Sequence, residues 1–345
     1  MKKVVIFGAA GFVGTYLVDH LATHGFDVLA TDVSELGEAY YRQRKIPFVR
    51  LDIARGEEFS KLPREGASSV VDLACLQPAN VSKEEYNPIN YIKVNVMGTL
   101  NILEFCRKTK IPKIIYVSSH QNVRGLWGLG KPISENDPRA IKYTGEYAVY
   151  SISESAAIDC VEHYRQQYGT QGIIFRLPPV YGYGPYTEIF KNGKPVKTGF
   201  QVFIESAIVG KPLEVWGDCK KGRDIVYVKD VVSAIVLALN SKNAAGLYNI
   251  ASGTLLSLEE EARGIISVFS PTESPSEIVY QPDKVNSVEP FLYDISKAKR
   301  DLGWSPIYPF EDMLIDYKRE MESGRFKFLL EKRQEMIRVK GRHVV

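Results

Sequence analysis

The sequence has few cysteines, no long hydrophobic run and little net charge. Its four cysteines, Cys75, Cys106, Cys160 and Cys219, show no paired spacing, which argues against a disulfide framework or a zinc site. No apolar run approaches the roughly 20 residues of a transmembrane helix, and the amino-terminal segment enters a strand pattern without a signal-peptide cleavage region. We therefore expect no metal, no membrane association and a cytoplasmic location.

The charge balance also gives no sign of a nucleic-acid partner. The formal charge is +3 over 345 residues, and the basic residues are spread along the chain except near its end. Residues 318–342 mix both charge signs with apolar side chains, which predicts an amphipathic helical tail. We expect this tail to pack on the surface or to contact another subunit.

The first half of the chain alternates short apolar runs with longer segments of helical spacing. The apolar runs predict strands at residues 4–7, 27–31, 47–50, 69–73, 113–118 and 172–176. Apolar positions three and four apart predict helices at residues 13–24, 91–108 and 153–168. This alternation is typical of an α/β fold in which helices cover both faces of a parallel sheet. We predict a doubly wound Rossmann domain.

The composition of the sequence changes after the last of these predicted strands. Residues 1–177 form the predicted dinucleotide-binding domain, and late strands from residues 223–251 are expected to return to its sheet. Glycine- and proline-rich stretches predict a smaller mixed substrate-binding portion at residues 178–317. A helical tail, residues 318–345, follows.

A glycine-rich segment lies between the first predicted strand and the first predicted helix. Gly8 permits a tight turn, Gly11 lets backbone amides approach a pyrophosphate, and Gly14 allows close helix–strand packing. Phe12 and Val13 then begin the helix, whose amino terminus favours negative charge. The pattern predicts a dinucleotide-binding loop with the spacing found in short-chain dehydrogenases.

Acidic and apolar residues at later strand ends extend the predicted cofactor site. Asp32 ends the second strand, where a carboxylate binds ribose hydroxyls and repels a 2′-phosphate, so NAD is favoured over NADP. The alternative is an aspartate that caps the next helix. Asp52 and Ile53 are placed at the adenine edge, and Leu73 and Ala74 at the same rim.

These features continue in a series of motifs through the chain. The motifs are Asn95-Val-Met-Gly98, Tyr116-Val-Ser-Ser119, Arg176-Leu-Pro-Pro-Val180-Tyr181-Gly182, Gly222-Arg223-Asp224 and Asp301-Leu-Gly-Trp304. In this order they resemble the extended short-chain dehydrogenase/reductase family, particularly its nucleotide-sugar epimerases and dehydratases. The resemblance covers nearly the whole chain and implies NAD as cofactor, a nucleotide-sugar substrate and a homodimer.

The resemblance also implies roles for individual residues. It adds Asn95 and Ser118 to the cofactor site, and it makes Arg223 the clamp on the substrate diphosphate, a task suited to a guanidinium. The alternative for Arg223 is an ion pair with Asp224 or Asp230, and Asp230 is expected to organise its local turn. Arg176 and Tyr181 resemble the edge of the substrate channel, although a structural role for Arg176 is equally open.

The catalytic motif departs from the family pattern. The family uses a tyrosine acid/base, a lysine four residues later that lowers the tyrosine pKa and holds the nicotinamide ribose, and a serine or threonine at a strand end. Aligning the helix start places Tyr150 on the tyrosine and Glu154 on the lysine. His120 falls on the hydroxyl position, and its neighbour Ser119 is expected to point elsewhere because adjacent strand residues face opposite ways.

Two interpretations of these changes follow. His120, Tyr150 and Glu154 form a rebuilt acid/base set, with the histidine titrating near neutrality. Alternatively, Glu154 lies on a solvated helix face and His120 is a hydrogen-bonded strand-end residue. We predict an NAD-binding nucleotide-sugar isomerase, epimerase or dehydrogenase. The alternatives are a non-redox enzyme such as a mutase on the same fold, and a silent nucleotide-sugar-binding subunit.

Overall fold

A seven-stranded parallel sheet forms the centre of the computed structural model, which describes residues 2–186, 188–286 and 288–340. Its strands are β1 (Lys2–Phe7), β2 (Phe26–Asp32), β3 (Phe48–Arg50), β4 (Ala67–Asp72), β5 (Lys113–Ser119), β6 (Gln171–Leu177) and β7 (Gly246–Asn249). They are ordered β7-β6-β5-β4-β1-β2-β3, so the order reverses between β1 and β4. The doubly wound α/β prediction is confirmed, and a crevice for ligands lies at such a reversal.

Helices cover both faces of the sheet and form the carboxyl-terminal part. They are α1 (Phe12–Thr23), α2 (Glu35–Gln43), α3 (Pro88–Tyr91), α4 (Thr99–Thr109), α5 (Ala148–Tyr168), α6 (Gly199–Ile208), α7 (Val228–Asn240), α8 (Leu258–Phe269), α9 (Ser296–Leu302), α10 (Phe310–Glu322) and α11 (Lys327–Lys340). Val4 and Ile6 pack into the core on one face of β1, and Val5 and Phe7 into the core on the other. This alternation explains why the strand is apolar throughout.

One predicted helix is divided. Residues 91–108 were expected to form a continuous helix, but α3 passes into a π-helical segment, Ile92–Gly98, before α4 begins. Within this segment the Asn95 side chain bonds both backbone groups of Leu76, which ties the helix to the loop after β4. Such wide turns occur often at functional sites, where they re-aim a side chain.

Short strand pairs outside the main sheet bring distant motifs together. Val180–Tyr181 pairs with Val226–Tyr227, and Gly222–Arg223 pairs with Leu256–Ser257. The expected return of a late strand is seen in β7, which pairs with β6, whereas the proposed domain boundary at residue 177 stays a prediction. Asp230 accepts hydrogen bonds from the backbone of Ile307 and Tyr308, so it ties α7 to a distant segment instead of organising its local turn.

The tail is two helices. α10 and α11 are separated at Gly324, whose φ of +67° ends the first helix in a left-handed conformation that glycine adopts without strain. Residues 341–345 of the predicted tail lie outside the described part of the chain. Within that part, no helix is long and apolar enough to cross a membrane.

Candidate active site

The glycine loop has the bare backbone that a dinucleotide requires. Gly8 has φ +75°, and a Cβ on it would lie 2.7 Å from the Ala74 nitrogen. A Cβ on Gly14 would lie 2.3 Å from the Gly8 carbonyl oxygen, so the loop folds tightly over the start of α1. Leu73 and Ala74 therefore border the loop, as predicted. The open backbone at a helix amino terminus fits a pyrophosphate.

Asp32 lies beside this loop at the end of β2. Its carboxylate accepts hydrogen bonds from the backbone nitrogens of Ala10 and Ser34, each at 2.9 Å. Ser34, not Asp32, caps α2 by accepting from the Gly37 nitrogen, so the helix-cap alternative is wrong. Burial raises the Asp32 pKa, and the two amides act in the opposite direction.

The next strand end adds the remaining residues expected near the adenine. The Leu51 nitrogen donates to the Asp32 carbonyl, which brings the segment that contains Asp52 next to the end of β2, while its contact with the adenine stays a prediction. The Asp52 carboxylate accepts from the Ala54 nitrogen at 2.9 Å and orders this turn. Ile53 packs against Gly98. The expected cofactor residues thus form one rim from β4 to β3.

Two further residues predicted to contact cofactor are engaged by protein groups. The Asn95 amide donates to Ser153 Oγ at 2.9 Å in addition to its bonds with Leu76. The Ser118 hydroxyl donates to Glu154 at 2.9 Å. Their direct contact with the cofactor stays a prediction, while their observed role is to hold the lining of the site.

Glu154 is buried, so its expected position on a solvated helix face is wrong. Only 1% of the residue is exposed, and its Oε2 accepts hydrogen bonds from Tyr116 at 3.1 Å and Ser118 at 2.9 Å. Its Oε1 has no hydrogen-bond partner among the described residues. Burial, with the nearby charge of Asp72, raises the pKa of Glu154 to about 7. The group therefore titrates near neutral pH.

Tyr150 lies one helical turn before Glu154 and is also buried, at 4% exposed. Desolvation raises its pKa well above the usual value, the Glu154 charge raises it further, and a hydrogen bond with the Ser119 side chain opposes both. Tyr150 is therefore a neutral phenol at physiological pH. The prediction that Ser119 points elsewhere is wrong: at the open carboxyl edge of the sheet it reaches the first turn of α5.

His120 does not titrate near neutrality as one interpretation required. Its ring stacks against Trp127 and Phe291, with centroids 5.4 and 5.6 Å away, and its Nδ1 is 3.1 Å from the Leu177 carbonyl oxygen. Burial lowers the pKa of His120 to about 3, and the charges of Arg223 and Arg124 lower it further. The ring is thus a neutral aromatic surface. The strand-end alternative describes it better.

Arg223 and Tyr181 meet, although 42 positions separate them. Arg223 Nη2 donates to the Tyr181 hydroxyl at 3.3 Å, and that hydroxyl donates to Glu261 at 3.3 Å. Asp224 instead accepts from Ser252 and from the backbone of Tyr293, so it does not form the alternative ion pair with Arg223. Glu261 was missed because nothing local in the sequence connects it with Tyr181.

Arg176 has the structural role that was left open. It is fully buried, its Nε donates to Asn249 at 2.8 Å, and its Nη2 donates to the Ser134 carbonyl at 2.9 Å. The guanidinium also lies 5.2 Å from the centroid of the Tyr293 ring. Arg176 therefore joins β6 to β7 and does not line a channel.

The tight glycine loop leads to a first testable prediction. We expect Gly14→Ala to lower NAD affinity at least tenfold and to destabilise the fold by about 1–3 kcal/mol, because the new methyl group collides with backbone that cannot move away. Gly199→Ala is the control, since a Cβ there meets nothing within 4 Å. Calorimetric titration with NAD and thermal unfolding measure both effects. Unchanged NAD affinity in Gly14→Ala would contradict the loop assignment.

Comparisons with known proteins agree with this geometry. The model of the NAD dependent epimerase/dehydratase family matches residues 4–251. A putative UDP-glucose 4-epimerase of Methanocaldococcus jannaschii is 29% identical over 304 residues, which cover 88% of this chain and 93% of that protein. UDP-glucuronic acid decarboxylase 1 of Arabidopsis thaliana is 28% identical, covering 88% and 66% respectively.

A solved structure has the same architecture. UDP-glucose 4-epimerase of Thermotoga maritima with UDP-glucose superposes with a TM-score of 0.75 at 26% identity, over 93% of this chain and 99% of that one. The matched family segment contains the glycine loop, Asp32, Tyr150 and Arg223. This chain is an enzyme of the NAD dependent epimerase/dehydratase family, with NAD as its cofactor.

Proposed function

We propose that this enzyme acts on a nucleotide sugar as an isomerase, epimerase or oxidoreductase, with proton-transfer groups that differ from the family pattern. The observation that carries the proposal is the pair formed by Tyr150, a neutral phenol, and Glu154, a buried carboxyl whose pKa is about 7. Both lie on α5, and the pair lies near the end of β5. Acid/base catalysis is most efficient when one group titrates near the working pH.

In this proposal Tyr150 and Glu154 together perform the proton transfers that the family's tyrosine and lysine perform. Bound NAD supplies the hydride acceptor. When the hydride leaves the substrate carbon, the proton of the same hydroxyl is accepted by ionised Glu154. Tyr150, whose raised pKa prevents it from acting as a base, donates a proton to that oxygen when the carbonyl is reduced, and Glu154 then returns its proton to Tyr150. Glu154 Oε1, which is buried and has no hydrogen-bond partner among the described residues, is the oxygen proposed to take the proton of the substrate hydroxyl. Ser119 orients the phenol, and His120 offers an uncharged surface to the sugar.

Arg223 is proposed to bind the diphosphate of the substrate. Its guanidinium donates to the Tyr181 hydroxyl, which in turn donates to Glu261. We expect Arg223→Ala to raise KM about tenfold to a hundredfold with a smaller effect on kcat, because a charge-assisted bond to phosphate is lost. Steady-state kinetics measure the changes in KM and kcat separately. Arg263→Ala, an exposed arginine on α8 paired with Glu259, is the control and should leave KM unchanged.

A second candidate is a non-redox reaction on the same nucleotide sugar. The same pair favours it, because without a lysine nothing lowers the pKa of Tyr150 enough for it to remove a hydroxyl proton during oxidation. A carboxyl with a pKa near neutrality would still catalyse proton transfer at carbon or oxygen. Both candidates use the same binding site.

One experiment separates the candidates. The purified protein with NAD is incubated with UDP-glucose or UDP-glucuronic acid, and the sugar is followed by NMR while absorbance reports reduced nicotinamide. Conversion with a transient or lasting reduced-nicotinamide signal supports the redox proposal, and conversion with a cofactor analogue unable to accept hydride supports the non-redox candidate. Binding of both ligands without conversion would leave a silent binding subunit.

We also propose a homodimer and keep the cytoplasmic location as a prediction. Exposed apolar side chains lie on α3, the π-helical segment and α5, three elements that pack against one another, namely Ile89, Ile92, Met97 and Ile152. Exposed apolar side chains that cluster are found at interaction surfaces. Sedimentation equilibrium tests the dimer, and a monomer at micromolar concentration would refute it.

A further inference from the structure

The junction between α10 and α11 is anchored on α1, the helix that follows the glycine loop. Phe326 is fully buried, with its ring centroid 5.8 Å from that of Tyr16 and 5.7 Å from that of Tyr183. Arg325 forms an ion pair with Asp19 at 2.5 Å and lies 4.0 Å from the centroid of the Tyr16 ring. These contacts fix where α11 begins.

From this anchor α11 packs against α2, the helix that starts directly after Asp32. Arg333 on α11 is 8% exposed. Its Nη1 donates to the Pro185 carbonyl, and its guanidinium lies 3.9 Å from the centroid of the Tyr186 ring. The positive charge of Arg333 is therefore buried, and its Nε–H donor has no hydrogen-bond partner among the described residues.

The segment that Arg333 holds borders the cofactor site. Cβ atoms on Gly182 and Gly184 would lie 2.9 and 3.2 Å from the Phe12 ring, at the first residue of α1. Tyr16 donates to the Tyr183 carbonyl at 2.8 Å. The charge of Arg333 also acts on both Asp32 and Tyr186. Arg333 therefore lies against Tyr186, and its charge acts on the Asp32 carboxylate that contacts the glycine loop.

We propose that α11 covers the adenosine end of the cofactor site and that Arg333 binds the adenosine diphosphate part of NAD. The guanidinium presents several donors to phosphate oxygens, and its unpaired Nε supplies one without breaking an existing bond. Arg333 also places a positive charge near Asp32, which the residues following Asp32 in the sequence do not do. In this position α11 keeps NAD bound between turnovers.

The test is titration of the full-length protein with NAD and with ADP-ribose, which lacks the nicotinamide. We expect Arg333→Ala to weaken binding of both ligands about tenfold or more and by similar factors, because a charge-assisted hydrogen bond is lost. The affinity of Arg333→Lys for both ligands should lie between those of Arg333→Ala and wild type. The matched control is Lys332→Ala on the same helix, whose exposed side chain pairs with Glu335 at 2.7 Å, and it should bind like wild type.

A second measurement covers the case in which Arg333→Ala does not fold. Saturating ADP-ribose should slow tryptic cleavage of wild-type α11 at Lys327 and Lys332 severalfold, because the bound ligand holds the helix closed. Absence of this protection overturns the proposal, as does an Arg333→Ala variant that binds ADP-ribose as well as or better than wild type. Neither measurement uses a sugar substrate, so failure of the proposed reaction would leave both results interpretable.

Discussion

Replacing Tyr150 by phenylalanine is expected to lower kcat by about 10²- to 10⁴-fold, the usual contribution of a positioned acid. The substitution removes one oxygen from a buried ring and leaves the packing around it unchanged, with Tyr147 in edge contact at 6.1 Å. NAD affinity and the KM for the nucleotide sugar should therefore change by less than about threefold. Rates under saturating substrate measure kcat, and calorimetric titration measures the affinity for NAD.

Tyr143→Phe is the matched control for this variant. Tyr143 precedes the same helix but is 74% exposed, whereas Tyr150 is 4% exposed, so we expect loss of the Tyr143 hydroxyl to leave kcat unchanged. An active Tyr150→Phe enzyme would show that another group donates the proton and that the helix alignment is wrong. An equal loss of kcat in both variants would indicate that the substitutions disturb the start of α5 and would not indicate lost acid catalysis.

We expect Glu154→Gln to make the protein more stable than wild type at pH 8 but not at pH 4.5. The pKa of Glu154 rises from its usual 4.5 to about 7 in the folded state. Folding thus retains a proton between these values, and the free energy of unfolding falls as pH rises through that window. Above about pH 7 the full cost of the buried charge is present, roughly 3 kcal/mol. Glutamine resembles the protonated acid and removes this cost.

Urea denaturation at pH values from 4.5 to 8.5 measures the difference between the two proteins. Asp72, whose pKa also rises to about 7, is present in both and does not contribute to the difference to first order. Glu84→Gln, a change at an exposed position, serves as control and should follow wild type at every pH. Parallel wild-type and Glu154→Gln curves would mean that Glu154 is ionised in the fold at little cost.

The same variant separates structure from catalysis. If ionised Glu154 accepts a proton during turnover, wild-type activity should rise with pH through about 7, and Glu154→Gln should lose this rise. A purely structural carboxyl would change stability without changing the shape of the activity profile. The pH dependence of kcat, measured beside the unfolding curves, therefore tests whether Glu154 acts in the reaction.

Features that depend on neighbouring residues could be read from the sequence. The spacing of Gly8, Gly11 and Gly14 reports a turn that only glycine can form, and the apolar runs report strands buried on both faces. The position of Asp32 follows from the length of β2. The prediction that Glu154 replaces the family lysine came from the same kind of local spacing, because Glu154 lies four residues after Tyr150 in α5.

Features that depend on the environment of a side chain were not readable. Burial decided that Glu154 is enclosed by Tyr116 and Ser118 and that His120 is held neutral between aromatic rings. Ser119 was misjudged because strand alternation constrains a side chain inside the sheet, but both faces open to the crevice at its carboxyl edge.

The α/β fold and the glycine loop follow from residues a few positions apart in the sequence, and so does the prediction that Glu154 replaces the family lysine. The raised pKa of Glu154, the contact between Tyr150 and Ser119 and the position of Arg333, which lies 301 positions after Asp32, required the three-dimensional structure. The physical reason is that desolvation and charge interactions act through space. Their size depends on which distant segments exclude water from a group.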